Sequence, residues 1–391
     1  MLCAINKLSK SLFLTGLLVV RLSGVINDEG PVARVKAHKG GISFIKCLQR
    51  GNRFITADSS GKITLWEGRE GDNKIKKLAS CKLPEGINSL AVSPNDRTLA
   101  ISAADSIKTY TLPKLKFDKE AKIEAPPGLF AFSGDGRDLL AFADSHLYFF
   151  SANDMTLKST APVRGEISAI AFAPDNLKFV TGSESGGLTL WSGFSCKPIN
   201  EVFLGEIPIA LQYSSKGDYI ISISEDFRIR NMRADTLEIS PNVFALPGNT
   251  EYFEMVEKDK LVFIYCSDGT VEFMSPSKGI YAPESYQMAP GYSSMALFKK
   301  GKYILTGDSE GLLQLFRNPM IIKKYNIAIE KGDEAMEMEK YSLALAAYKA
   351  AMGLFPEKEA EEKLEQAQKG KEKMAEQRLQ KIRKAREQWK R

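Results

Sequence analysis

The 391-residue sequence is poor in the residue types that build most catalytic and metal centres. It has only 2 histidines, His38 and His146, so a histidine-built metal site or a Ser-His-Asp triad has almost no raw material. Its 5 cysteines are scattered and form no CxxC pair, which argues against a disulfide framework or a zinc ribbon and favours a reducing compartment. No apolar run approaches the ~20 residues that a membrane-spanning helix needs.

The positive charge of the chain is concentrated at its C-terminal end. The formal net charge is +6, yet residues 369–391 alone hold ten Lys/Arg and three Glu, a balance of +7. The rest of the chain is therefore almost neutral. A neutral body excludes a basic nucleic-acid-binding protein of the ordinary kind and makes the tail the one concentrated charge feature.

A repeat of about 42 residues runs through three quarters of the chain. Each copy has a turn rich in Pro, Gly, Asn or Asp, an apolar strand, a polar hairpin and a second strand that ends in a large apolar residue. The clearest copies are 51–66, 174–191 and 301–316. This spacing is typical of four-stranded propeller blades. The residues that close the seven copies are Trp66, Tyr110, Phe150, Trp191, Met232, Met274 and Phe316.

The closing residues carry a family signature. Trp66-Glu67 and Trp191-Ser192 stand where the WD40 family has Trp-Asp, and His38 stands at the histidine of its Gly-His motif. On these residues and on the period, residues 30–318 resemble WD40 proteins. The resemblance implies an all-β seven-bladed propeller, followed here by an α-helical C-terminal extension. The positions with expected structural roles are His38, Trp66, Trp191 and Phe316.

The family also has a buried hydrogen-bond tetrad that includes an Asp in the hairpin of each repeat. Here that hairpin position holds Ser60, Ser185 and Glu310 in three copies, and Asp only at Asp226 and Asp268. We therefore expect the tetrad to be mostly absent.

The last repeat, which ends at Phe316, lacks an outermost strand. The segment 31–37 precedes the first complete repeat and has the alternation of a strand, so it can supply the missing one. We expect the two ends of the ring to pair and so to remove an open sheet edge.

Two interpretations of residues 1–29 stay open. Two lysines and the apolar run 11–20 resemble the start of a secretory signal over residues 1–24, but Arg21 follows directly and no Ala-x-Ala site appears. Alternatively, the run resembles 302–307 and is strand material. We expect a cytoplasmic protein, or a periplasmic or secreted one if residues 1–24 are a signal peptide.

After Phe316 the apolar spacing changes to three and four, which predicts helices. Asn318-Pro319 offers a helix cap with proline in the first turn. Residues 319–356 resemble one unit of the tetratricopeptide (TPR) family, which implies a helix pair with a groove for a partner helix or peptide. The matching positions are Gly332, Tyr341, Ala344, Tyr348, Ala351 and Pro356.

Residues 357–391 predict one long helix with a basic end. Its apolar positions are too sparse for a confident coiled coil and form only a narrow face for a membrane. The tail is either simply solvated or a contact for an acidic protein surface, and we expect the latter. The expected central contacts are Lys381, Arg383, Lys384 and Arg386.

No Walker A, HExxH, GxSxG or Rossmann motif is present, so we expect no enzyme, no catalytic residue, no cofactor and no metal site. The WD40 and TPR resemblances imply a non-enzymatic scaffold or adaptor that binds other proteins. Nucleic acid is disfavoured, while peripheral contact with an anionic membrane stays open. The alternative is an exported, periplasmic propeller that acts as an enzyme or as an accessory of an envelope or redox complex.

Overall fold

A computed structural model describes residues 30–69, 74–123, 125–256 and 261–389. Within these ranges the chain forms a ring of seven antiparallel sheets followed by three helices, so the predicted fold class is confirmed. The chain divides into two compact units, the propeller and the helical extension.

The blades follow one another along the chain, and β1 (Ala33–Lys36) stands apart from this order. Blade 1 is β2 (Ile42–Cys47), β3 (Arg53–Asp58), β4 (Lys62–Arg69) and β5 (Lys74–Lys82). Blade 2 is β6 (Ser89–Val92), β7 (Thr98–Ala103), β8 (Ser106–Thr111) and β9 (Lys116–Lys122). Blade 3 is β10 (Leu129–Phe132), β11 (Asp138–Ala143), β12 (His146–Ser151) and β13 (Leu157–Pro162). Blade 4 is β14 (Ile167–Phe172), β15 (Lys178–Ser183), β16 (Gly187–Ser192) and β17 (Pro198–Phe203).

The remaining blades close the ring. Blade 5 is β18 (Pro208–Tyr213), β19 (Tyr219–Ser224), β20 (Arg228–Arg233) and β21 (Ile239–Ala245). Blade 6 is β22 (Thr250–Val256), β23 (Leu261–Cys266), β24 (Thr270–Ser275) and the short β25 (Ile280–Tyr281) and β26 (Tyr286–Gln287), which both pair with β24. Blade 7 is β27 (Tyr292–Phe298), β28 (Tyr303–Asp308) and β29 (Leu312–Arg317), with β1 as its outer strand.

The ring is closed by β1, as the sequence predicted. The strand runs antiparallel to β29, from Ala33 opposite Leu315 to Lys36 opposite Leu312. The N–H groups of Ala37 and His38 extend this contact to the Gly311 carbonyl, at 2.9 and 3.2 Å. Residues from opposite ends of the described propeller thus share one sheet.

Apolar faces stack between successive blades and form the core. A four-stranded sheet exposes two faces, and each is covered only when the neighbouring sheet packs against it. The third strands each contribute a fully buried side chain to this stacking. Five of them are Leu65, Leu190, Ile229, Phe273 and Leu315.

The two tryptophans of the repeat signature occupy equivalent places. Trp66 lies opposite Phe54 and Trp191 opposite Phe179, and only 4% and 5% of their surfaces are exposed. Each indole Nε1–H donates a 2.8 Å hydrogen bond to a threonine one strand away, Thr56 for the first indole and its counterpart Thr181 for the second. The two blades therefore repeat the same local structure.

Blade 7 has a Phe at this position, and its polar contact is lost. Phe316 is buried and meets Tyr292 edge-to-face, with ring centroids 6.1 Å apart. A phenyl ring has no N–H, and the Oγ1 of the equivalent Thr306 has no hydrogen-bond partner among the described residues.

A buried network in blade 1 corrects the expectation from Ser60. His38 lies 2.8 Å from Asp58 through Nδ1 and 2.7 Å from Thr56 through Nε2, and Thr56 accepts from Trp66. The carboxylate therefore comes from Asp58, two residues before the expected hairpin position, and Ser60 donates to it. In blade 1 the tetrad is complete.

Asp226 occupies the hairpin position of the family motif in blade 5, but it does not take part in a tetrad. Asp226 forms an ion pair with Arg230 at 2.6 Å rather than joining a histidine network. Among the described residues, no second tetrad forms around the other histidine of the chain. His146 is exposed, and its Nδ1 lies 2.9 Å from the Asp144 carbonyl.

The hydrogen bonds of the blade 1 network are all satisfied when the histidine is neutral. Thr56 donates to Nε2 of His38, whose Nδ1–H donates to Asp58. Burial lowers the pKa of His38, and the opposing effect of Asp58 does not cancel it. Burial also acts to raise the pKa of Asp58, but hydrogen bonds from Ser60 and His38 together hold it below its usual range.

Replacing Trp66 or Trp191 with Ala should lower the free energy of unfolding by ~3–5 kcal/mol, because each change leaves a large cavity between blades. Replacing Trp66 with Phe removes the bond to Thr56 and part of the ring volume but keeps an aromatic ring between the blades, so we expect a smaller loss of about 2 kcal/mol. Urea unfolding measures both. Alanine variants with unchanged stability would mean that these positions are not in the core.

Deleting residues 1–38 should leave β29 as an open edge and cause aggregation. Deleting residues 1–24 keeps β1 and should be tolerated. Light scattering and gel filtration compare the two shortened chains. A soluble, cooperatively folding 39–391 chain would contradict the need for closure by β1.

Lowering the pH from about 7.5 to 5.5 should cost stability through His38. Its folded pKa lies below its unfolded pKa, so in this window the unfolded chain binds the proton more readily and stability rises with pH. The contribution of Asp58 falls in a separate window, below about pH 4, because its folded pKa is depressed. Urea unfolding across this pH range should show a smaller pH dependence for His38→Gln than for the wild type, and equal slopes would refute the neutral buried imidazole.

Candidate interaction surface

The propeller brings no metal-binding group of side chains together in the part of the chain that the structure describes. No group of three or more His, Cys, Asp or Glu in these residues has metal-binding geometry. The Glu254 carboxyl in blade 6 accepts hydrogen bonds from the Tyr252 hydroxyl and, at 3.0 Å, from the Leu297 N–H. Burial raises the pKa of Glu254 and that of the Cys47 thiol nearby. This cluster links blade 6 to blade 7 and has the properties of a structural contact.

The outer strand of blade 4, β17, exposes large apolar side chains. Ile199 and Phe203 on this strand are 50% and 70% exposed, and Phe194 in the preceding turn is 80% exposed. The outer strands of blades 1 and 2 are instead rich in lysine, which discourages edge-to-edge association. β17 contains no lysine.

The helical extension starts at a cap that the sequence predicted. The Asn318 side chain accepts from the Met320 N–H at 3.0 Å, and Pro319 fills the first turn. The helices are α1 (Pro319–Glu337), α2 (Tyr341–Leu354) and α3 (Lys358–Trp389).

The first two helices pack closely at a glycine. A Cβ on Gly332 would lie 2.2 Å from the Tyr348 ring, so only glycine lets α1 and α2 approach this far. The Tyr348 hydroxyl donates to Asp333 at 2.7 Å, and Lys363 of α3 forms an ion pair with the same carboxylate at 2.6 Å. Gly332 and Tyr348 are two of the TPR-like positions, and the glycine of α1 packs directly against the tyrosine ring of α2.

The third helix packs along only its first part. Ala360 and Ala367 are buried, and Gly370 faces the Tyr341 ring so closely that a Cβ there would lie 2.2 Å from it. Every side chain from 371 to 389 is exposed except that of Met374. We call residues 371–389 the exposed segment of α3.

The charges of α3 differ between its two parts. In the packed part, Lys358, Lys363 and Lys369 pair with Glu residues four positions away, at 3.2 to 3.9 Å. The exposed segment holds seven Lys/Arg and three Glu. The expected contacts make no ion pair or hydrogen bond with any other described residue; they are Lys381, Arg383, Lys384 and Arg386.

These four residues do not share one side of the helix. At about 100° per residue, an apolar arc of about 120° is formed by Leu379, Ile382, Ala385 and Trp389. Arg386 lies within this arc, Arg383 and Lys381 lie beyond its two borders, and Lys384 lies on the opposite side. The arc also contains large exposed side chains, with 94% of Trp389 exposed. The apolar face is wider than the sequence predicted, because Ala385 belongs to it.

No described helix is both long enough and apolar enough to cross a membrane.

Comparison with known proteins finds a family match for residues 154–192, to the family described as WD domain, G-beta repeat (WD40). This stretch covers the outer strand of blade 3 and three strands of blade 4, so the sequence repeat is offset from the blade by one strand.

A curated protein is also similar in sequence. The protein named Echinoderm microtubule-associated protein-like elp-1, from Caenorhabditis elegans, is 22% identical over 276 residues. The match covers 66% of this chain and 30% of the relative, so the chain spans less than a third of that protein's length. The seven blades, the spacing of the repeats and the matched repeat agree: this chain is a seven-bladed β-propeller protein with a helical C-terminal extension, and it is similar to WD40 proteins.

Proposed function

We propose that the protein is a non-enzymatic scaffold that binds an acidic protein through the exposed segment of α3. WD40 propellers are platforms for protein interaction, and this one carries a second, helical docking element. The observation that carries the proposal is the set of four basic side chains at 381–386, which are exposed and have no partner in the described chain.

The residues of the exposed segment favour an acidic protein as the partner over a membrane or a nucleic acid. A membrane-binding helix needs an apolar face free of charge, whereas Arg378 and Arg386 lie within the apolar arc. Single-stranded nucleic acid is held by successive aromatic side chains, and the exposed segment has only Trp389. An acidic protein needs neither feature, and its attraction to the helix is screened beyond ~8 Å at physiological salt.

A second candidate partner comes from the name of the nematode relative, which associates that protein with microtubules. Cosedimentation with polymerised tubulin tests this candidate for the full chain. Pelleting that does not depend on residues 381–386 would assign binding to another surface of this protein.

The compartment stays a prediction, since residues 1–24 lie outside the described residues. We propose a cytoplasmic protein, and the alternative is an exported propeller in an envelope or redox complex. N-terminal sequencing of the mature protein distinguishes them, because a start near residue 25 would favour export.

Changing Lys381, Arg383, Lys384 and Arg386 together to Glu should reduce capture of acidic proteins by the full chain about tenfold at 50 mM salt. The reduction should be smaller at 200 mM salt, since screening already weakens the wild type. Quantitative mass spectrometry of proteins bound to immobilised chain measures both.

The matched control reverses four exposed lysines on the outer strand of blade 1, which are Lys74, Lys76, Lys77 and Lys82. It makes the same change in net charge at a different place. If the two quadruple variants lost capture equally, the loss would reflect total charge, and the specific role of the exposed segment would be wrong.

A further inference from the structure

We infer that the acidic partner holds the exposed segment of α3 in an apolar groove with an acidic rim, of the kind that calcium-loaded EF-hand sensors open. This inference rests on the proposed function and specifies its partner. It adds the apolar arc, which a purely electrostatic contact would leave in water.

The apolar side chains of the arc are spaced as anchors for a groove. Ile382, Ala385 and Trp389 follow one another at i, i+3 and i+7, and Leu379 lies one turn before them. Helices that bind in grooves place their anchors at these intervals. Leu379, Ile382 and Trp389 are 56%, 52% and 94% exposed, so the helical extension does not use them for its own core.

Ile382, Ala385, Arg386 and Trp389 of the arc line one shallow concavity together with Glu387. Burying these side chains would remove a large apolar area from water, which is favourable. On an exposed helix they can be buried only against a binding partner.

The basic residues surround the anchors on both sides. Arg383 and Lys381 lie just outside the two borders of the arc, where the rim of a groove would meet the helix. Arg386 lies between the anchors and needs an acidic group at the groove itself. This arrangement complements an acidic rim around an apolar floor, which calcium-loaded sensors provide with Met-rich grooves.

A second copy of the chain fits the same surface poorly. Two exposed segments packed through their arcs would bring Arg378 and Arg386 of both copies to one seam, and like charges there oppose association. Each exposed segment is also basic overall, so repulsion acts along the whole helix.

The test uses the full chain with calcium-loaded calmodulin as a probe of an acidic, methionine-lined groove, and polyglutamate as a probe of charge alone. Trp389 reports groove binding through a blue shift of its emission, and subtraction of the Trp389→Phe signal removes Trp66 and Trp191. We expect micromolar or tighter binding to calmodulin that chelation of calcium abolishes.

Leu379→Gln with Ile382→Gln keeps every charge and should weaken calmodulin binding at least tenfold while polyglutamate binding stays within twofold. Arg386→Glu should weaken calmodulin binding at least fivefold more than Lys384→Glu, which makes the same charge change on the opposite side of the helix. Circular dichroism of each variant checks that α3 stays helical.

Equal calmodulin binding by wild type and the double Gln variant, or no calcium-dependent binding at all, would overturn the groove. Tighter binding to vesicles of 4:1 phosphatidylcholine and phosphatidylserine than to calmodulin would assign the helix to a membrane and overturn it as well. In each of these cases the proposed acidic contact survives if polyglutamate binding still depends on residues 381–386, and fails if it does not.

Discussion

The pairing of β1 with β29 is the contact on which the propeller depends. Each blade covers a face of the next, so a ring that stays open leaves two sheet faces and one strand edge in water. The strand that closes blade 7 comes from the other end of the propeller sequence, which makes closure a long-range event. Gly311 at the β28–β29 turn permits it, since its φ is +85° and a Cβ there would lie 2.3 Å from the Gly40 carbonyl oxygen.

The buried tetrad continues this closure into blade 1. The His38 N–H bonds to Gly311 of blade 7 at 3.2 Å, while its imidazole bonds to Asp58 and Thr56 of blade 1. One residue therefore joins the first and last blades through its backbone and its side chain. Blade 4 keeps the Trp–Thr pair of the tetrad and blade 7 keeps only the threonine, so the complete network lies where the ring is joined.

The period of the sequence was enough to predict the blades, the closing strand and the equivalence of Trp66 and Trp191, because stacking requires large apolar residues at fixed positions. It could not predict which acid reaches His38. The family motif places the acid at the hairpin position, which is Ser60 here. In the structure the acid is Asp58, two residues earlier at the end of β3, because its carboxylate lies within hydrogen-bond distance of both His38 and Ser60. Likewise, the sequence predicted a basic helix and, at 100° per residue, the separate positions of Arg386 and Lys384. It could not predict where the packing of α3 ends, because that depends on its contacts with the other helices.

The packed part of α3 explains how its exposed segment can stay helical and available. A lone helix of about 19 residues is marginal in water, since nucleation is costly. Here the packed part, fixed by Gly370 against Tyr341 and by Lys363 on Asp333, supplies the nucleus from which the helix propagates. The exposed segment is then ordered before it binds, so a partner does not have to order it. Its large apolar side chains add nothing to the packing of the helical extension, and we therefore interpret them as binding residues.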